Sequence, residues 1–136
     1  MRRYSRVVAV LAGLLAHGVT GAVAQEVHEV RMVADGKGEF RFEPASVSAG
    51  QGDVLLFKVV SGAPHSVVFD GKKLSEPARQ ALNGALPRRA GDLSSPPLKA
   101  GAEYRVVVPA AVPAGRYPFF CLPHRAYDMR GELIVE

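Results

Sequence analysis

The chain has 136 residues, enough for one domain with a substantial hydrophobic core and too few for two. Its 14 Gly and 10 Pro are heavy punctuation for a helical protein and suit short strands joined by many turns. The formal charge of +4 reflects 17 basic against 13 acidic side chains, but Arg2, Arg3 and Arg6 all precede the first acid, Glu26. Without those three, 14 basic residues face 13 acids, so the high isoelectric point does not point to nucleic acid.

The three arginines open a leader with a charged start, an apolar run over 7–16 and the small-residue signal Ala22-Val23-Ala24. The run is too short to span a bilayer, and His17, Gly18 and Gly21 oppose a retained anchor helix. Cleavage is expected after Ala24. The expected organisation is therefore a secretory signal peptide over 1–24 and one domain over 25–136, exported to the periplasm or another extracytoplasmic space without a stable membrane anchor. Arg2-Arg3 alone does not distinguish the twin-arginine from the general secretory route.

In the remaining chain, residues 27–34 alternate, with His28, Val30, Met32 and Ala34 on one face, and predict a strand. After the turn at Gly36-Lys37-Gly38 a short strand is expected over 40–42, ending before Pro44. Gly50-Gln51-Gly52-Asp53 turns into a strand over 54–60, with Leu55, Phe57 and Val59 inward and Lys58 outward. Ser61-Gly62-Ala63-Pro64 breaks that run, and 66–69 resumes it. Ser75 before Glu76-Pro77 reads as a helix N-cap and Asn83-Gly84 as a stop, which predicts a short helix over 77–82. Further strands are expected over 102–108, 115–121 and 132–135. The fold expected is all-β: a two-sheet antiparallel Greek-key sandwich of seven or eight strands with one short helix.

Cys121 is the chain's one cysteine, so it cannot close an intramolecular disulfide. It is a free thiol, an intermolecular bridge or a metal ligand. It begins the pattern C-x2-H-x4-M, with His124 and Met129, on one loop between two strands. A soft thiolate, an imidazole and a thioether are donors that copper prefers, and His65 at the strand break supplies a second imidazole. Taken singly, Cys121 and Met129 could be core residues, and His65 and His124 ordinary loop or surface histidines. Together, His65, Cys121 and His124 with a weak axial Met129 make the type 1 (blue) copper set. Met32 and His28 lie on the first strand, outside any ligand pattern, and read as core and surface residues respectively.

Several segments carry a family resemblance: Phe42-Glu43-Pro44-Ala45-Ser46-Val47, Ala63-Pro64-His65-Ser66-Val67-Val68-Phe69-Asp70, Phe120-Cys121-Leu122-Pro123-His124 and Met129-Arg130-Gly131. With them the chain resembles the plastocyanin branch of the cupredoxins over about the whole domain. The resemblance implies an eight-stranded sandwich holding one copper ion near one end, used for outer-sphere electron transfer with protein redox partners. It also marks departures. Ser66 stands where the family usually has Asn, and Phe120 where it usually has Tyr. Asp70-Gly71-Lys72-Lys73 replaces an acidic run common in the plant proteins.

The function expected is a monomeric carrier of single electrons, not an enzyme, since only His28 is left over to build a substrate copper. The alternative is a copper-trafficking protein of the same fold, which would be expected to expose several Met or Cys ligands. An electron port is expected at the exposed edge of His124, among Pro64, Leu122, Pro123 and Ala126, with Arg125 and Arg130 favouring an acidic partner.

Overall fold

The computed structural model describes residues 23–136, so residues 1–22 of the expected signal peptide lie outside the described residues. In chain order the strands are β1 (Val27–Ala34), β2 (Phe40–Glu43), β3 (Ser46–Ala49), β4 (Val54–Val59) and β5 (Val68–Phe69). The helix α1 (Glu76–Ala85) follows, and then β6 (Glu103–Val107), β7 (Gly115–Phe120) and β8 (Arg130–Val135). They form two four-stranded sheets, β2-β1-β4-β6 and β3-β8-β7-β5, packed as a sandwich.

Both sheets are mixed, which corrects the antiparallel expectation. β1 runs parallel to β4, pairing Val27 with Val54 and Met32 with Val59, and β3 runs parallel to β8. The cause is the path of the chain. After β2 it leaves the first sheet, forms β3 in the second, and returns as β4 beside β1 in the same direction. Parallel neighbours require such a crossover, because a tight hairpin can only reverse direction. β3 itself was not among the expected strands, although its short alternation buries Val47 and Ala49 and exposes Ser46 and Ser48.

Alternation fills the core. Leu55, Phe57 and Val59 of β4 are buried, and so is Met32, as the pattern implied. Phe119 is the centre of an aromatic cluster. Phe42 and Phe57 from the first sheet and Phe69 from its own meet it nearly edge-on, with centroids 4.9, 5.5 and 5.9 Å away. Such pairs add about 0.5–1.5 kcal/mol each beyond the area they bury. Opposite Phe119 in the β7–β8 ladder lies Gly131, where a Cβ would overlap the ring. The same inward alternation, Tyr117 then Phe119, carries Cys121 into the end of the core.

Ser75 caps α1 as expected, accepting from the Ala78 N–H. The helix passes Asn83-Gly84 and ends at Ala85, because Ala78, Leu82 and then Leu86 pack into the core. Asn83 instead accepts the Leu93 N–H at 2.8 Å and ties down the following loop. No helix among the described residues is long and apolar enough to cross a membrane.

Candidate metal centre

One end of the sandwich gathers polar donors inside an apolar wall. His65 lies in the β4–β5 connection and is fully buried. Its backbone is held on both sides by Leu98, with His65 N–H to Leu98 O at 3.1 Å and Leu98 N–H to His65 O at 2.8 Å. Its Nε2 lies 2.7 Å from the Ser61 carbonyl oxygen. A carbonyl only accepts, so Nε2 carries the proton and Nδ1 presents a lone pair. Burial holds this imidazole below its ordinary pKa, which favours the neutral, ligating form.

Cys121 follows β7, and its N–H donates to the Met129 carbonyl at 3.0 Å, closing the loop that joins β7 to β8. His124 precedes a 3-10 turn, Arg125–Tyr127, which directs its ring back toward the sulfur. His124 Nδ1 lies 3.4 Å from Cys121 Sγ and 3.2 Å from His65 Nδ1, and His65 Nδ1 lies 3.6 Å from the same sulfur. Three donors thus form a near-equilateral triangle. The point equidistant from them lies about 2 Å from each, close to a metal–imidazole bond and slightly short for a metal–thiolate bond. His65, Cys121 and His124 are all buried. Burial pushes the Cys121 thiol above its usual pKa, opposed by the Ser66 N–H that reaches the sulfur at 3.4 Å. Burial, and then the neighbouring His65 ring, lower that of His124. A cation among these donors reverses the balance at the thiol, and two soft or borderline imidazoles beside a thiolate suit copper.

Met129 is fully buried on the same loop, and its N–H reaches the His124 carbonyl at 3.4 Å. Ser66, in the place where Asn is usual, still joins the two ligand segments, because its Oγ accepts the Leu122 N–H at 2.9 Å. Two features escaped the sequence reading. Phe40 of β2 stacks on the His124 ring, and Arg130 is paired with Asp128 at 2.7 Å and so is not a free charge beside the port. The remaining histidine among the described residues, His28, lies at the start of β1, at the opposite end from His65, which follows the end of the parallel strand β4. It bonds Asp53 at 2.9 Å and is partly exposed.

Residues 28–136 match the family model described as copper binding proteins, plastocyanin/azurin family. The chain is 31% identical over 129 residues to plastocyanin of a Synechococcus species, covering 93% of this chain and 85% of that one. It is 30% identical to plastocyanin of Nostoc punctiforme, covering 86% and 79%. Among solved structures, the oxidized form of plastocyanin from Dryopteris crassirhizoma superposes with a TM-score of 0.59 at 28% identity, over 80% of this chain and all of that one. An oxidized P96G mutant of amicyanin superposes at 0.55 and 25% identity, over 89% and 88%.

Proposed function

Because the chain belongs to the plastocyanin/azurin family of copper-binding proteins, we propose that it is an exported carrier that passes single electrons between protein partners outside the cytoplasm. In this reading His65, Cys121 and His124, together with the buried Met129, would hold one copper ion, and residues 1–24 would be removed on export. The observation that carries the reading is the convergence of two imidazole Nδ1 atoms and one cysteine sulfur at 3.2–3.6 Å inside a buried pocket.

Copper supplies a one-electron couple between Cu(I), which prefers soft donors, and Cu(II), which prefers harder ones. The residues supply rigidity. The Ser61 carbonyl and the two Leu98 bonds hold His65, while the Ser66 N–H orients the sulfur. Little has to move when the charge changes, so electron exchange is fast. Phe40 and the surrounding apolar residues exclude water and favour the less charged state. His124 has 9% of its surface exposed, beside exposed Leu122, Pro123 and Ala126. That edge is the electron port of this reading. The chain itself turns over no substrate and acts as a monomer.

The buried donors favour this reading over copper trafficking, which needs ligands a recipient can reach. Titration of the purified protein with Cu(II) tests it. One copper per chain, an intense blue thiolate-to-copper band and a reversible couple are expected. A colourless complex would overturn the ligand set, and so would Cys121→Ser remaining blue. Rapid loss of copper to a chelator without reduction would support trafficking instead.

A further inference from the structure

Beside the metal loop runs a cleft of about 360 Å³, open to solvent, lined by residues that include Gly91, Ser95, Pro97, Leu122 and Pro123. Its walls are mostly apolar, and Leu122 is 58% exposed at its edge. Two further clefts adjoin it. One shares Ala90 and Gly91 and carries Arg88 and Arg89. The other shares Asp92 and carries Lys72, Arg79 and Arg125 over Phe120.

The charge of this trough is mostly positive, with the Asp70 carboxylate the one acid lining it that has no ion pair among the described residues. Asp92 is paired with Arg79, and Asp70 accepts the Lys72 N–H. Lys72, Arg88, Arg89 and Arg125 are exposed and have no ion-pair partner among the described residues. Arg31, Arg41, Lys58 and Arg116 each face a carboxylate, whereas Lys37, Lys73, Lys99 and Arg105 also lack an ion pair among the described residues, so what distinguishes the trough is that its unpaired cations flank an apolar cleft.

We propose that this trough docks an acidic segment of the redox partner, with one apolar side chain seated against Leu122 and Pro123 and carboxylates on either side. The inference rests on the electron-carrier reading and identifies the partner's chemistry. Charge complementarity argues for the acidic flanks and the apolar floor for the central side chain. The position is also electronically useful. Leu122 is bonded directly to Cys121, so a partner group held there is one residue from the thiolate. A neutral or basic partner would leave this excess of positive charge without a counterpart next to the contact.

The test is an amide NMR titration of the 15N-labelled Cu(I) protein with the blocked peptide Glu-Asp-Leu-Asp-Glu at low salt. Shifts are expected at Lys72, Gly91 and Leu122 and should shrink as salt rises. Lys72→Glu, and separately Arg88→Glu with Arg89→Glu, should weaken binding about tenfold while leaving the blue band and the couple unchanged. The neutral analogue Gln-Asn-Leu-Asn-Gln should not bind. No shifts at tenfold excess, equal binding of the neutral peptide, or indifference to the charge reversals would overturn the proposal. So would phosphatidylglycerol vesicles perturbing these amides where the peptide does not, since the surface would then fit a membrane. Loss of the reversible couple in the parent would instead sink the electron-carrier reading.

Discussion

The ring of Phe40 lies flat on the imidazole of His124, with centroids 3.7 Å apart and planes within 11°. Phe40 is itself backed by Gly62, whose φ of +74° suits glycine and where a Cβ would come within 3.2 Å of the ring. Tyr127 leans on its edge, with centroids 4.9 Å apart. An imidazole stacked in this way would have to give up the contact before it could swing off a bound metal. Phe40→Leu should therefore speed Cu(I) release to a strong Cu(I) chelator about two- to tenfold, the equivalent of the 0.5–1.5 kcal/mol of an aromatic pair. The blue band of the oxidised protein should stay nearly unchanged. A release rate equal to the parent's would show that the stack does not restrain the ligand.

Ser66 joins the two ligand segments through one hydroxyl. Ser66→Ala removes the acceptor of the Leu122 N–H while keeping the backbone N–H that reaches Cys121 Sγ. The cost should be about 1 kcal/mol, or about 4 °C in Tm. Ser66→Asn, which can restore an acceptor, should recover most of it. Thermal unfolding of the copper-loaded proteins measures both.

Met129 should tune the potential without defining the site. Met129→Gln brings a harder oxygen that stabilises Cu(II), so the potential should fall. Met129→Leu leaves an apolar wall, so it should rise. Asp128 does not complicate the sign, because its carboxylate is exposed and held by Arg130 at 2.7 Å. Voltammetry on both variants decides the matter, and a Gln variant at the parent's potential would make Met129 core filler.

At the other end of the sandwich, Asp53 anchors the turn before β4. Its carboxylate accepts from His28, and then from the N–H groups of Gly50 and Glu26, and these bonds lower its pKa from 3.8 to about 2. A depressed carboxylate stabilises the fold above its unfolded pKa, and the contribution is lost as pH falls through the folded value. Asp53→Asn should therefore lower Tm at neutral pH, and the gap to the parent should close between about pH 4 and pH 2. Ligand protonation is common to both chains and cancels in that difference. A gap independent of pH would mean that the bonds matter through geometry and not charge.

The candidate metal loop was legible in the sequence because its donors are local. Cys121, His124 and Met129 fall within nine residues, and His65 marks itself by interrupting a strand. Strand alternation likewise gave Leu55, Phe57, Val59 and Met32 their inward places. The parallel β1–β4 and β3–β8 pairings were not legible, since alternation reports which face a side chain takes and not the direction of its neighbour. Phe40 looked like any strand residue. Its contact with His124 joins segments far apart in the chain, and only tertiary structure brings them together. Arg130 looked like free charge because its pairing with Asp128, two residues earlier and at φ +58°, is a property of the folded loop and not of the sequence pattern.

Leu98 clasps His65 in one part of the molecule, while the remaining proposed ligands come from a single loop 56 residues further along the chain. An ion held by both is therefore a covalent-like tie between distant points of a polymer that, with a lone cysteine, cannot make a disulfide of its own. Closing a ring of that length removes about 4 kcal/mol of freedom from the unfolded chain on the loop-entropy scale used for disulfides. The metal thus does architectural duty alongside its redox duty, and stripping it should uncouple the two ligand segments before the sheets themselves give way.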